Sequence, residues 1–240
     1  KSIAIACGSH SGSKLHSREA FKILWEYDID INNLKCPNSK TSPLEHNCSG
    51  KHSAFLATCK KMNWPLDSYL KGDHPLQIEI FRIVSELLEI PSSEINAERD
   101  DCGAPTLYLK LLEMSRLYSL LSSSENAELE QISRAMAINP IMISDNNKFD
   151  TEIIKASHGN VIGKGGAEGI QCLCKVNEGI GLALKVEDGS KRAKHAVSLH
   201  LLKQLEWISD LRIQDIEEKV FNFSEGVRLE VKGKLKFQES

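Results

Sequence analysis

The sequence has 240 residues, of which 30 are Lys or Arg and 33 are Asp or Glu, so the net charge is -3 at pH 7. Because the charged residues are interspersed, nothing in the composition indicates binding to nucleic acid or to an anionic membrane. No apolar run has the length that spanning a bilayer requires, and the first apolar stretch is too short for a signal peptide.

The chain has seven cysteines, an odd number, and is long enough to fold around a hydrophobic core without disulfides. This favours a reducing environment, and we expect a cytoplasmic protein in which some thiols are buried and others carry chemistry. Cys172 and Cys174 form a C-x-C pattern in a predicted strand, where both side chains point to one face. We expect these two to pack in the core.

The first part of the sequence predicts one short strand and then helices. Residues 3–7 are an apolar run typical of a buried strand, and residues 8–12 have the composition of a loop. Apolar spacing predicts helices over about 16–26 and over about 50–64, with Pro65 ending the second one.

More helices are predicted in the middle of the chain. Asp73 is the expected cap of one of them, with Pro75 in its first turn. Another helix is expected after Pro105, and a further one ends at Asn139.

The periodicity changes from helical to strand-like after Gly159. Asp and Gly in succession at 188–189 are a strong signal for a tight turn. The predicted elements are strands over 161–166, 171–176 and 180–187, a helix over 193–208, and an edge strand or partly ordered tail over 227–237.

Two loops hold most of the residues that could carry chemistry. Residues 47–52 place a thiol, a hydroxyl, an amine and an imidazole in succession at the start of a predicted helix, whose free N–H groups favour a thiolate or an anion. The second loop, residues 99–105, contains Cys102. The thiols Cys48 and Cys102, with His52 or Lys51 as a further donor, would suit zinc, although a free cysteine is usually a small buried apolar residue.

A serine–lysine arrangement is a second candidate site. Ser11 and Lys14 match the S-x-x-K pattern of penicillin-recognising enzymes, and Lys164 with the two glycines after it loosely resembles their K-T-G strand. A lysine can accept the proton of a nearby serine when its surroundings depress its pKa. The S-x-x-K pattern is short and matches often by chance, and Ser9 is an equal candidate.

Together these stretches resemble a known family, the rhizobial-type (class 3, asparaginase II-like) bacterial L-asparaginases. The resemblance implies hydrolysis of L-asparagine to L-aspartate and ammonia by a homodimer. It also implies an α+β fold similar to serine β-lactamases and glutaminases, with a central, mainly antiparallel sheet flanked by helices and a helical lobe. The matching segments, in family order, are 7–12 with His16, 47–52, 73–77, 100–106, 163–167 and 185–189.

The resemblance also implies a set of site residues. Zinc binding by two cysteines and a lysine falls on Cys48, Lys51 and Cys102, and the lysine must then be neutral. Asp100 and His52 are expected beside the metal or the substrate, where Asp100 could hydrogen-bond a zinc-bound water or the substrate ammonium.

One serine–lysine pair of the family falls on Ser9 and Lys164, which disfavours Ser11 with Lys14. The other pair, an S-x-x-K with the expected nucleophile, lies upstream of residue 3 in the family. We therefore expect residues 1–240 to be a single asparaginase-like domain without its N-terminal segment. Its helical lobe would cover roughly 50–140, and its sheet would come from 1–36 and 159–240.

Two other interpretations are kept open. One is an inactive zinc-containing module that binds an amino acid, and the other is a metal-free glutaminase or penicillin-recognising serine hydrolase. The sequence does not decide between asparagine and glutamine as the substrate.

Overall fold

The computed structural model describes residues 1–37, 41–221 and 229–236. The chain divides into two compact units, one of Lys1–Leu117 with Ile141–Asp145 and one of Tyr118–Pro140 with Asn146–Ser240. Helices and short antiparallel strands are both present, so the protein is α+β. Whether the whole chain is the single domain expected from the sequence stays a prediction.

The first unit is mainly helical. Its two strands form a small antiparallel hairpin in which Glu98 is opposite Thr106. Its elements are α1 (Ser2–Ala6), α2 (Lys14–Glu26), α3 (Ser49–Met62), α4 (Pro75–Leu88), β1 (Ala97–Arg99), β2 (Pro105–Leu107) and the first part of α5 (Leu111–Ser122), with 3-10 helices at Ile31–Asn33, Pro43–Glu45 and Ser92–Glu94.

Helix α3 is the element that carries the first chemical motif. It ends where Asn63 takes the left-handed conformation, just before Trp64 and Pro65, as the sequence predicts. Its glycine, Gly50, is in close contact with α1, since a Cβ at that position would lie 2.4 Å from the carbonyl oxygen of Ile5. The two helices therefore meet backbone against backbone.

A hydrophobic core lies between α2, α3 and α4. Leu24, Leu56 and Tyr69 are fully buried in it, and burying a leucine contributes about 1.5–3 kcal/mol. This core fixes α3 from the side opposite α1. Other members of the cluster are Ile29, Leu34, Cys36, Cys59 and Leu76.

Two local predictions for the first unit are wrong, and a third is right about a helix but not about its start. Residues 3–6 fall in helix α1 and not in a strand, so residues 1–36, expected to contribute to the sheet, contain only helices and loops. A short apolar run does not distinguish a buried strand from a buried helix. Pro105 begins strand β2, and the helix expected after it starts only at Leu111. The cap of α4 is His74, whose ring accepts the N–H of Leu76 at 3.1 Å, and not Asp73.

The second unit contains a three-stranded antiparallel sheet in the order β3-β4-β5. Lys164 on β3 is opposite Cys172 on β4. The elements are α6 (Ala127–Ile138), α8 (Phe149–Ala156), β3 (Val161–Gly165), β4 (Ile170–Lys175), β5 (Ile180–Lys185), α9 (Lys191–Gln204) and α10 (Asp210–Val220), and α7 (Pro140–Ile143) falls at the boundary of the units.

Helices α8, α9 and α10 pack around a core with this sheet, and Ile153, Leu173 and Leu202 are fully buried there. Cys172 and Cys174 are also buried, which confirms core packing for the C-x-C pair. Of the last predicted strand, 227, 228 and 237 lie outside the described residues, and 229–236 form no strand. Within the described ranges, no helix is both long and apolar enough to cross a bilayer.

Candidate active site

The structure brings the two chemical loops of the first unit together. The sulfur atoms of Cys48 and Cys102 and a carboxylate oxygen of Asp100 lie within 4.8 Å of one another. Cys48 is the residue before α3, and the other two residues lie in the loop between β1 and β2. Two elements that are distant in sequence therefore supply a compact group of sulfur and oxygen donors.

The two thiols are held in different protonation states. A hydrogen bond from Cys48 is the main reason that the pKa of Cys102 is well below its usual range, with further support from His52. The same bond, together with burial, raises the pKa of Cys48. In this hydrogen bond Cys48 is therefore the donor, and the sulfur of Cys102 is the acceptor.

The amine of Lys51 reaches the same group. Its Nζ lies 3.5 Å from Oδ2 of Asp100. Burial lowers the pKa of Lys51, but the nearby sulfurs of Cys48 and Cys102 and the carboxylate of Asp100 outweigh burial and raise it. In the metal-free protein Lys51 is therefore an ammonium.

The donor set fits zinc. Two sulfurs together with nitrogen or oxygen donors in a compact group are what Zn²⁺ takes in proteins. Cys102 is almost completely buried and Lys51 is half-buried, so water competes little for these donors. Lys51 would have to lose a proton to join the set, as metal ligands generally do.

Two histidines border this group. His52, on α3, is fully buried, and its Nδ1 lies 2.7 Å from the hydroxyl of Tyr69. His46 accepts the backbone N–H of Cys48 on Nδ1 at 3.1 Å. Burial lowers the pKa of His46, which keeps that nitrogen available as an acceptor. His46 thereby helps to fix the backbone at Cys48.

Ser9 is connected to the cysteine loop through Asn47. The side-chain amide of Asn47 donates to Oγ of Ser9 at 3.0 Å and to the sulfur of Cys48 at 3.5 Å. The backbone N–H of Ser9 donates to the carbonyl of Ile143 at 2.8 Å. Since Oγ of Ser9 accepts from Asn47, its own proton remains free to be donated.

Lys164 lies near the end of β3 in the second unit, and its Nζ donates to the carbonyl of Gly165. The backbone N–H of Gly165 donates to Oδ2 of Asp150 at 2.9 Å. The other oxygen of this buried carboxylate accepts from Nε2 of Gln171, also at 2.9 Å. Asp150 therefore fixes the strand end immediately after Lys164.

Lys194 of α9 supports the same strand end. Its Nζ donates to the carbonyl of Gly166 at 3.2 Å, and burial lowers its pKa. A Cβ on Gly165 would lie 2.9 Å from this Nζ. Glycine at position 165 therefore leaves room for a buried lysine beneath the strand.

Ser9 belongs to the first unit and Lys164 to the second, so their pairing stays a prediction. In the alternative pair, the hydroxyl of Ser11 donates to the carboxylate of Asp145. The S-x-x-K pattern instead predicts Lys14 as the partner of Ser11.

Sequence reasoning missed three residues with defined positions around these groups. Asn47 stands inside the first motif, and its place next to Cys48 was the available signal. Asp150 lies in the first turn of α8, where acidic residues are common, so the sequence contains no separate signal for its buried role. Tyr69 carries no signal in the sequence, because its partner His52 is defined only by packing.

The comparison with known families places the chain in an amidohydrolase class. The family model described as L-asparaginase II matches residues 1–237, and the chain belongs to that family. No curated protein matched the chain.

Proposed function

We propose that this protein hydrolyses L-asparagine to L-aspartate and ammonia. The observation that carries the proposal is the junction at Asn47, where one amide contacts both Ser9 and Cys48. Asn47 therefore connects Ser9, whose hydroxyl can transfer a proton, with the group of donors that fits a metal. Membership of the L-asparaginase II family supplies the amide as the substrate class.

Cys48, Lys51 and Cys102 would hold a zinc ion, with Asp100 beside it. Three protein ligands leave one tetrahedral position open, as in zinc sites that take part in chemistry. When bound, such an ion supplies a positive charge that stabilises negative charge on nearby oxygen atoms. Asp100 would accept a hydrogen bond from the substrate ammonium or from water, and His52 would support the sulfur of Cys102.

Ser9 and Lys164 are the proposed proton carriers. In the related family the attacking hydroxyl belongs to an S-x-x-K segment upstream of residue 3, so the proposal concerns the protein that includes such a segment. As that oxygen bonds to the amide carbon, its proton would pass through Ser9 and Lys164 to the departing nitrogen, which leaves as ammonia, and water would then hydrolyse the resulting ester to release aspartate and restore the hydroxyl. Asp150 and Lys194 would keep Lys164 in place.

The finer features implied by the resemblance belong to this proposal. We assign a fold similar to serine β-lactamases and glutaminases, a homodimeric assembly and a cytoplasmic location. The antiparallel order β3-β4-β5 and the helices around it support the first of these. The odd number of cysteines, seven, supports the reducing compartment.

Ammonia release from L-asparagine by the full-length protein tests the proposal. Lys164→Ala should reduce kcat by about 10² or more, as expected when a positioned proton carrier is removed. Lys175→Ala is the matched control, because this lysine is at the end of the neighbouring strand β4 and its amine lies 4.0 Å from a carboxylate oxygen of Glu178. Equal rates for Lys164→Ala and the unaltered protein would overturn the catalytic assignment.

The same assay with L-glutamine separates the interpretations left open by the sequence. Faster release from glutamine, by protein without zinc, would identify a metal-free glutaminase. Binding of asparagine with no ammonia release would identify a binding module.

A further inference from the structure

The buried imidazole of His52 has one nitrogen with a clear partner and one without. Nδ1 lies 2.7 Å from the Tyr69 hydroxyl, whereas Nε2 is buried and meets no partner at strict hydrogen-bond geometry. A buried polar nitrogen without a partner is costly, so its orientation needs an explanation. The hydroxyl of Tyr69 provides one.

The direction of the Tyr69 hydrogen bond is fixed by the backbone. The N–H of Lys35 donates to the Tyr69 oxygen at 2.9 Å, and a backbone N–H can only donate. The hydroxyl proton therefore points elsewhere, and in the part of the chain that the structure describes its other hydrogen-bonding contact is Nδ1 of His52. Nδ1 thus accepts, and the ring proton of neutral His52 is on Nε2.

Tyr69 is itself held rigidly. Its side chain is fully buried, and its backbone carbonyl accepts from Nε2 of Gln77 at 2.7 Å. Its ring packs edge-on against His52 and Phe55, with ring centroids 5.6 and 6.4 Å away. The tyrosine cannot rotate without opening this core, so it imposes its hydrogen bond on the histidine.

The Nε2–H group of His52 can act as a hydrogen-bond donor to the sulfur of Cys102. His52 is one of the groups that lower the pKa of the Cys102 thiol, and an Nε2–H group turned towards that sulfur would stabilise a thiolate there. We propose that Tyr69 is a positioning residue that keeps His52 as an Nε2–H donor to Cys102. In this arrangement His52 orients a metal ligand and is not itself a ligand.

The zinc-related part of this inference rests on the proposed function, whereas the tautomer of His52 does not. A histidine ligand would need a free lone pair on Nε2 and a proton on Nδ1. Nδ1–H and the N–H of Lys35 would then both point at the Tyr69 oxygen, and the hydroxyl proton would lose its acceptor. The hydrogen bonds around Tyr69 therefore favour the donor role.

Nitrogen-15 NMR of the His52 ring in chelator-treated, full-length protein tests the tautomer directly. The expected spectrum has a protonated Nε2 and an unprotonated Nδ1. In Tyr69→Phe the spectrum should move towards a mixture of tautomers, and in Tyr108→Phe, which alters an exposed tyrosine, it should not change. A protonated Nδ1 in the unaltered protein would overturn the inference, even if Tyr69→Phe failed to fold.

Zinc affinity, measured by competition with a chelating dye, tests the role of the ring. The side-chain NH₂ of Gln can replace an Nε2–H donor, so His52→Gln should stay within a few-fold of the unaltered protein. His52→Ala and Tyr69→Phe should weaken binding about 10-fold or more, the usual effect of removing a residue that orients a ligand. Complete loss of zinc in His52→Gln would show that His52 is a ligand and overturn the donor role.

If the unaltered protein bound no zinc, the zinc-related part would fail, and the NMR result would still decide the tautomer.

Discussion

The amide of Asn47 donates a hydrogen bond of 3.0 Å to the hydroxyl oxygen of Ser9. The N–H of His10 in turn donates to the carbonyl of Asn47 at 3.2 Å, so the two loops are joined by side chain and backbone. An asparagine fits this position because it is short, uncharged and able to donate while its backbone accepts. Ser9 is thereby oriented from a residue that also touches Cys48.

Replacing Asn47 with Ala should therefore reduce kcat/KM for asparagine about tenfold, which corresponds to the net contribution of one hydrogen bond. Steady-state ammonia release measures this effect. Asn33→Ala is the control, because the side chain of this exposed asparagine donates to the local carbonyl of Asp30 at 3.1 Å. The positioning role of Asn47 would be contradicted if both variants lost activity equally.

The proposed zinc site makes a selective prediction about the cysteines. We expect one zinc per chain by elemental analysis, strongly weakened binding in Cys102→Ser, and retention in Cys174→Ser, since Cys174 is buried in the sheet core. Affinity should fall at acid pH as the ligands gain protons, and chelation should lower the melting temperature. Zinc released by Cys174→Ser but kept by Cys102→Ser would place the metal elsewhere.

Gly50→Ala should destabilise the protein although alanine is the better helix former. The gain in helix propensity is about 1 kcal/mol. Against it, the new Cβ would lie 2.4 Å from the oxygen and 2.8 Å from the carbon of the Ile5 carbonyl, which are backbone atoms that cannot rotate away. We expect a net loss of about 1–3 kcal/mol in the free energy of unfolding, typical of overpacking.

Urea denaturation measures this loss. Gly72→Ala is a matched control, because a Cβ at Gly72 meets nothing within 4 Å. Its effect should stay within about 0.5 kcal/mol. A Gly50→Ala protein as stable as Gly72→Ala would argue against the close contact of α1 and α3.

His195 should make stability depend on pH. Its ring is buried and stacks on Phe149, with centroids 4.0 Å apart. Burial, and then the charge of Lys194, lower its pKa from 6.5 to about 4, while Asp150 opposes them and Lys191 adds to them. Between these two pH values the unfolded chain binds a proton that the folded protein does not.

The free energy of unfolding should therefore decrease as the pH falls from 6.5 to about 4. Protonation of His195 accounts for at most about 3 kcal/mol of this decrease, and above this pH range it should not change the stability. Denaturation of the unaltered protein and of His195→Phe at pH 7.5 and 4.5 isolates the effect. The variant should lose less stability on acidification. Equal losses would mean that His195 is not the responsible group.

Much of the fold was predictable where the sequence contains its own boundary signals. Helix α3 ends before Pro65, and the strands near 161–165, 170–175 and 180–185 follow apolar runs separated by turn residues. The run at 3–7 has no such signal, and its helical state goes with a contact to Gly50 that the sequence does not reveal. Similarly, the ring of His74 can cap α4 as Asp73 was expected to, because both offer an acceptor.

The candidate site was predictable as a set of residues but not as an arrangement. The spacing of Cys48 and Lys51 at a helix start, and Cys102 in a glycine-containing loop, identified the donors of the first unit. Which groups hold them in place depends on contacts between distant parts of the chain, such as Tyr69 with His52. Such contacts leave no periodic or compositional pattern, so they were not predicted.

The neighbouring sulfurs of Cys48 and Cys102 have a consequence for chain entropy. They are separated by about fifty residues that include α4, so any link between them, by a metal ion or by oxidation, closes that segment into a ring. A closed loop of this length restricts the unfolded chain by about 4 kcal/mol. The ring lies entirely in the first unit, so linking the sulfurs would restrict the unfolded chain of that unit.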